Sequence, residues 1–231
     1  MSDILPQASE PAPGDIADAI AAETLRLGIP LPSDAVARLA AYATTLWAWN
    51  ERLNLTRHTD VGRFVSRDVG DAAALLPHLA HGERVLDVGT GGGVPGVILA
   101  ILRPDLRVEL ADSVAKKARA VAEIVREAGL AIPVHAAPAQ ELVASRPAGR
   151  DRFDTLVVRA VAPLAKLLAW FEPIAGSFGR LLVIKGPRWE EELAEARVKR
   201  LGKKVSIRRI SSWPLVGTDN ESVLLEIRAA S

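Results

Sequence analysis

The chain has 231 residues, of which 49% are hydrophobic and 25% are charged, an ordinary composition for a globular protein. Its 29 basic and 28 acidic side chains give a formal net charge of +1, so a nucleic-acid partner would have to bind a local basic patch. The absence of cysteine excludes disulfides, thiolate zinc ligands and a cysteine nucleophile. The four histidines show no ligand-like spacing, and we predict no metal site.

The chain begins with residues 1–14, whose Pro, Ala and Ser content predicts a disordered tail without the features of a secretory signal. No run of about eighteen apolar residues follows, so we expect no membrane span and a cytoplasmic protein. Residues 15–82 are predicted to form an N-terminal helical extension, with Ser33 as the N-cap of its second helix. Helical periodicity covers three segments of this extension, namely 15–28, 33–52 and 63–80.

From residue 83 onward, short apolar segments of strand length alternate with helical segments. This alternation predicts right-handed crossovers and a doubly wound, mainly parallel sheet. Little chain separates the last two strands, so one of them should be antiparallel. We therefore predict an α/β domain at 83–231 with a seven-stranded sheet, whose strands are RVLDV, RVELAD, IPVHAA, FDTLVVRA, GRLLVIKG, KKVSIRRI and ESVLLEIRA.

The segment LDVGTGGGVPG at 86–96 joins the first predicted strand to a helix and is rich in glycine. A phosphate-binding P-loop needs a lysine directly after its last glycine, and no lysine follows here until Lys116. The carboxylate of Asp87, at the end of the strand, argues against a dinucleotide, because it would lie close to a pyrophosphate at the helix N-terminus. The dinucleotide pattern G-x-G-x-x-G is nevertheless matched, by Gly91, Gly93 and Gly96.

The same segment fits the pattern D-x-G-x-G at Asp87, Gly89 and Gly91, which suits S-adenosylmethionine. That cofactor carries a positive ammonium and a positive sulfonium but no phosphate, so an acid can bind it directly or through water. The glycines let the backbone approach the ligand closely. Asp112 ends the second strand at the spacing expected for an acid that binds ribose hydroxyls, and the adjacent Ser113 is a further candidate cofactor contact. Alternatively, Asp112 and Ser113 only cap the next helix.

Further motifs extend along the chain, and over residues 36–228 they make it resemble the RsmG family, also called GidB. They are NLT at 54–56, DVGTGGGVPG at 87–96, RPDL at 103–106, ADSVAKKAR at 111–119, RA at 159–160 and KG at 185–186. The resemblance implies a Rossmann-like class I methyltransferase that uses S-adenosylmethionine to methylate guanine N7 in the 530 loop of 16S ribosomal RNA. A methyltransferase for another RNA or a small molecule, and a non-catalytic nucleotide-binding protein, are the alternatives.

The resemblance also implies which residues contact the cofactor. Arg159 follows the apolar run TLVV at the carboxyl end of a predicted strand, where open α/β sheets place ligand-binding groups. An arginine there seldom belongs to a core, because its charge would need a partner, so we expect it to face the ligands. The implied cofactor contacts are Gly89, Val94, Ala139, Gln140 and Arg159.

Guanine N7 carries a lone pair and no proton, so its attack on a methyl group needs no general base, and we assign none. The expected partner is small-subunit ribosomal RNA, free or in the subunit, bound by a monomer. Candidate RNA contacts are Asn54, Arg57, Arg67, Asp71, Lys116, Lys185 and Arg188. The basic segment 197–209 is either another RNA contact or a solvated surface. Four departures from the family pattern stand at Asp68 (usually His), Ala72 and Val158 (usually Ser), and Glu221–Ser222 (near a usual Glu-Arg-His).

Overall fold

The computed structural model describes residues 13–146, 149 and 151–230. The predicted tail lies outside these residues except for its last two positions, which are already helical. The N-terminal helices are α1 (Pro13–Arg26), α2 (Ser33–Leu53), α3 (Val61–Arg63) and α4 (Gly70–Leu75). A π-helical turn, Phe64–Val69, joins α3 to α4, and a 3-10 turn, Leu76–His78, follows α4.

Strands and helices then alternate as the sequence predicts. The strands are β1 (Arg84–Val88), β2 (Arg107–Ala111), β3 (Val134–His135), β4 (Thr155–Arg159), β5 (Arg180–Lys185), β6 (Val205–Pro214) and β7 (Glu221–Ala229). The helices between them are α5 (Gly96–Leu102), α6 (Ala115–Glu127), α7 (Ala139–Ser145), α8 (Leu164–Phe171) and α9 (Trp189–Val198).

The strands form one sheet in the order β3-β2-β1-β4-β5-β7-β6. Strands β1 to β5 are parallel, and β7 runs antiparallel to both β5 and β6, which confirms the predicted doubly wound sheet and its antiparallel strand. The chain passes from β1 outward to β3 and returns to β4 on the other side of β1. The carboxyl ends of β1 and β4 therefore mark the switch point at which such sheets bind ligands.

Two apolar cores cover the two faces of the sheet. The first contains residues of α1, α2, α5 and α6, so the N-terminal helices and one face of the sheet share a core. The second contains residues of α7, α8 and α9. Because both faces are covered, the central strands are almost continuously apolar and buried. None of the helices in the described ranges is long and apolar enough to cross a bilayer.

Some predicted boundaries were wrong. Ser33 is the first residue of α2 rather than its N-cap, because the extended Pro32 precedes it and supplies no side-chain cap. The predicted helix at 63–80 is helical but interrupted by the π-helical and 3-10 turns. The predicted strand IPVHAA shortens to Val134–His135, which lie at the sheet edge and pair only with β2.

Candidate active site

The glycine segment forms the turn between β1 and α5, and two of its glycines are fixed by close packing. Gly89 has φ +66°, and a Cβ there would lie 2.7 Å from a methyl group of Val161. A Cβ on Gly96 would lie 2.7 Å from the Cβ of Asp87. Only glycine therefore allows the turn to leave β1 and α5 to pack directly on it.

The side chain of Asp87 stabilises this turn through hydrogen bonds to two of its residues. Its side chain is buried, and Oδ2 accepts hydrogen bonds from the Thr90 hydroxyl at 2.6 Å and from the Gly96 N–H at 2.9 Å. Oδ1 has no partner among the described residues. Burial raises the pKa of Asp87 to about 6, against the opposing effect of these two hydrogen bonds. The main contacts of Asp87 are thus with the turn itself.

Asp112, just beyond β2, holds the other side of the turn. Its Oδ2 accepts from the Gly91 N–H at 3.0 Å, and its Oδ1 accepts from the Val114 N–H at 2.8 Å ahead of α6. Asp112 therefore does bind the backbone just ahead of α6, as the capping alternative predicted. Ser113 is exposed, and the N-cap residue of α6, Val114, forms no side-chain capping bond. Each Asp112 oxygen keeps a second lone pair that a ribose hydroxyl can use.

Tyr42 of α2 also contacts the turn, a role that no sequence motif predicts. Its ring is fully buried, and its hydroxyl donates to the carbonyl of Gly92 at 2.8 Å. Burial raises the pKa of Tyr42, so the hydroxyl stays protonated as a donor.

A cavity of ≈ 840 Å³ opens at the carboxyl ends of β1, β4 and β5. Its size lies within the range of small-molecule sites. The predicted residues on its wall are Gly89, Gly91, Val94, Arg159, Asn54, Arg57, Arg67, Asp71 and Lys185. The structure does not bring the other predicted residues to this wall, namely Asp87, Asp112, Ser113, Ala139, Gln140, Lys116 and Arg188.

Arg159 lies at the end of β4 on the cavity wall, but it has partners that the sequence argument did not foresee. Its NH2 group lies 2.6 Å from Oδ1 of Asp68, and its Nε lies 3.3 Å from Oδ2 of Asp71. The arginine is 15% exposed and the two acids 1% and 3%. Arg159 is therefore part of a buried ion cluster as well as of the cavity wall, which corrects the expectation that it has no core role.

Asp68, one of the departures from the family pattern, contacts both Arg159 and His58. Its Oδ1 also lies 2.7 Å from Nδ1 of His58, in the loop before α3. Asp71 accepts a hydrogen bond from the Trp213 indole at 3.0 Å. Burial raises the pKa of Asp71, and Arg159 opposes that effect. The NH1 group of Arg159 and Oδ2 of Asp68 have no hydrogen-bond partner in the described part of the chain.

The remaining departures are mostly explained by packing. Ala72 and Val158 are buried and apolar in the core. Glu221 pairs with Arg209 at 2.8 Å, while Ser222 is buried and lines the cavity. No feature of the structure explains why this chain has lost the usual Glu-Arg-His.

Several predicted RNA contacts occupy unexpected surroundings. Lys185 lies 2.5 Å from Glu192 and donates to the carbonyl of Ala162 at 2.8 Å, so its charge is already neutralised. Arg188 and Lys116 are exposed outside the cavity wall, where Lys117 stands instead.

The basic residues between α9 and β6 lie at the far edge of the sheet. Val205 pairs with Ala229, at the end of β7, whereas Lys185, at the cavity, pairs with Val223 near the start of β7. The segment that precedes β6 is therefore separated from the cavity by the length of β7. This favours the solvated-surface interpretation of its charges.

Comparison with known sequences identifies the family. The profile of the GidB family, described as rRNA small subunit methyltransferase G, matches residues 35–213. The chain belongs to this GidB family. The ribosomal RNA small subunit methyltransferase G of Rhodopirellula baltica is 44% identical over 190 residues, 82% of this chain and 80% of that protein. The protein of the same name from Pseudomonas paraeruginosa is 38% identical over 180 residues, 77% and 81% of the two chains.

Solved structures at lower identity share the fold. TrmN from Thermus thermophilus matches with a TM-score of 0.50 and 20% identity, over 69% of this chain and 48% of that one. MtNAS in complex with MTA and tNA matches with a TM-score of 0.53 and 15% identity, over 94% and 87%. These matches confirm the predicted Rossmann-like fold. Membership of the GidB family confirms the predicted ribosomal RNA methyltransferase that uses S-adenosylmethionine.

Proposed function

We propose that this chain transfers a methyl group from S-adenosylmethionine to N7 of a guanine in the 530 loop of 16S ribosomal RNA. The choice of this cofactor rests on the hydrogen bonds that the backbone N–H groups of the turn after β1 already form. Those of Gly91 and Gly96 already donate to the carboxylates of Asp112 and Asp87. A pyrophosphate would need such donors and would meet two negative charges beneath them, whereas a cationic cofactor is favoured by the same charges.

The residues of the cavity fit this cofactor. The turn lacks side chains where Gly89 and Gly91 line the cavity, so a ligand can lie against its backbone. Arg159 lines the cavity, and its NH1 group, buried without a hydrogen-bond partner among the described residues, is the donor that remains for a ligand carboxylate. Asp112 is proposed to accept from the ribose, and Ala139 and Gln140, at the start of α7, to flank the adenine.

When bound, S-adenosylmethionine supplies a methyl group on a positively charged sulfur. The lone pair of guanine N7 would form the new bond to the methyl carbon while the carbon–sulfur bond breaks and its electron pair stays on sulfur, so that the positive charge passes to the guanine and no proton has to leave N7. The task of the chain is therefore to hold the base in line with the methyl group and to exclude water. The carboxylate of Asp71, on the cavity wall, is proposed to stabilise the positive charge that develops on the guanine ring.

We propose that the chain acts as a monomer. Because the substrate is ribosomal RNA, we expect the chain to act in the cytoplasm. The experiment is to incubate the purified protein and labelled methyl donor with small ribosomal subunits, and separately with their free RNA, from a strain that lacks the modification. Mass mapping should locate the label at one guanine N7 in the 530 loop. A label on another nucleotide, or on a small molecule only, would overturn the proposal.

A further inference from the structure

A second cavity of ≈ 280 Å³ lies beside the first and shares three of its lining residues. Arg57, His58 and Arg67 line both cavities. Arg63, Ser66 and Val216 line only the second. The two cavities are therefore neighbours, as the base and the backbone of one nucleic-acid segment would require.

Guanidinium groups dominate the walls of the second cavity. Arg63 is 70% exposed and lies 3.6 Å from Asp60, itself 57% exposed, a weak pair at the surface. Arg57 and Arg67 form no ion pair with any described residue within 4 Å, and Nε of Arg67 is buried without a hydrogen-bond partner. The nearby acid Asp68 is bonded to Arg159 and His58. The described walls of the second cavity thus carry three arginines and no carboxylate, although Arg67 is also attracted by Asp71 on the wall of the first cavity.

The placement of these arginines costs stability unless an anion is present. Arg63 ends α3, and Arg67 follows four positions later in the π-helical turn, a spacing that brings two side chains to one side of a helix. Like charges at this spacing repel each other and destabilise a helix. Ser66 donates its hydroxyl to the carbonyl of Gly62, so the arginines are the donors available to a ligand.

We propose that the second cavity binds the RNA backbone phosphate next to the target nucleotide. This inference rests on the proposed function, because the base in the first cavity fixes which phosphate reaches the second. A guanidinium fork matches the oxygens of a phosphate and forms charge-assisted hydrogen bonds with it. Phosphate contacts of this kind set the register of a nucleic acid without reading its sequence. The subsite would hold the flanking backbone while the first cavity holds the base.

The test uses Arg63→Ala, because Arg63 contacts the second cavity only. Arg126→Ala is the matched control: Arg126 is 69% exposed and pairs with Glu123 three positions earlier, as Arg63 does with Asp60. Affinity for small-subunit RNA is measured over a series of salt concentrations. Loss of one phosphate contact on a single strand should reduce the slope of log K against log salt by about 0.7. S-adenosylhomocysteine affinity and the urea midpoint should match those of Arg126→Ala.

The charge-retaining Arg63→Lys should keep the parental slope, since a lysine still neutralises the phosphate. If Arg63→Ala shows the same slope as Arg126→Ala, the phosphate subsite is refuted. If the parent protein neither binds nor methylates small-subunit RNA, the proposed function itself fails. The two failures are distinguishable because only the second involves the unsubstituted chain.

Discussion

Replacing Arg159 with alanine tests whether the buried ion cluster supports both the fold and the site. The substitution leaves the carboxylates of Asp68 and Asp71, 1% and 3% exposed, without the guanidinium that they share. Removing one partner of a buried pair costs about 3–5 kcal/mol. Because His58 and Trp213 still bond to these carboxylates, we expect the lower end of that range. Urea unfolding at pH 8 should therefore show a loss of about 3 kcal/mol.

The loss should be smaller at pH 5. Burial already raises the pKa of Asp71 against the effect of Arg159, so removal of Arg159 raises this pKa further. A carboxyl group whose pKa is higher in the folded state stabilises that state below the unfolded pKa, and the contribution is lost as pH rises through the folded pKa. The stability of Arg159→Ala should therefore approach that of the parent as the pH falls.

Arg180→Ala separates lost stability from lost function. The side chain of Arg180 is 14% exposed and pairs with Glu83 and Glu226. It lies at the amino end of β5, whereas the cavity lies at the carboxyl end. Both variants should be destabilised, and only Arg159→Ala should lose S-adenosylhomocysteine binding and methyl transfer under conditions where both are folded. Arg159→Lys keeps the charge but not the fork, so it should regain stability more than activity. Equal urea midpoints for Arg159→Ala and the parent would refute the argument for the fold, and parental turnover would refute the argument for the site.

Three further variants test the turn after β1 and the basic surface before β6. The contribution of Asp87 to parental stability should fall by about 2.4 kcal/mol as pH rises from 4 to 7, because the pKa of Asp87 is raised from 3.8 to about 6 and each pKa unit is worth about 1.36 kcal/mol. Asp87→Asn should lack this fall in urea unfolding, and an identical pH profile would contradict the assignment. Asp112→Ala should weaken S-adenosylhomocysteine binding by about 1.5–3 kcal/mol in calorimetry. Unchanged affinity would show that Asp112 only stabilises the turn and the start of α6 and does not bind the cofactor. Replacement of the basic residues before β6 with alanine should not change the salt dependence of RNA binding; these residues are Lys199, Arg200, Lys203 and Lys204. A flatter slope of log K against log salt would show that they contact RNA phosphates.

The fold and the turn after β1 were predictable because they depend on short-range patterns. Apolar segments of strand length that alternate with helical periodicity leave few arrangements other than a doubly wound sheet. The turn concentrates its glycines between Asp87 and Gly96, and both end residues pack against each other in the structure. The position of Arg159 at a strand end also follows from the sequence, as does its place on the cavity wall.

The partners of these residues depended on tertiary structure. Asp68 lies 91 positions before Arg159, and only the packing of the N-terminal helices on the sheet brings them into contact. The charge of Lys185 points to RNA in the sequence, yet α9 folds back so that Glu192 neutralises it. Sequence patterns report which face of an element is apolar, because burial follows a local period. They do not report which charged groups meet across the packed elements, because that depends on how distant segments pack together.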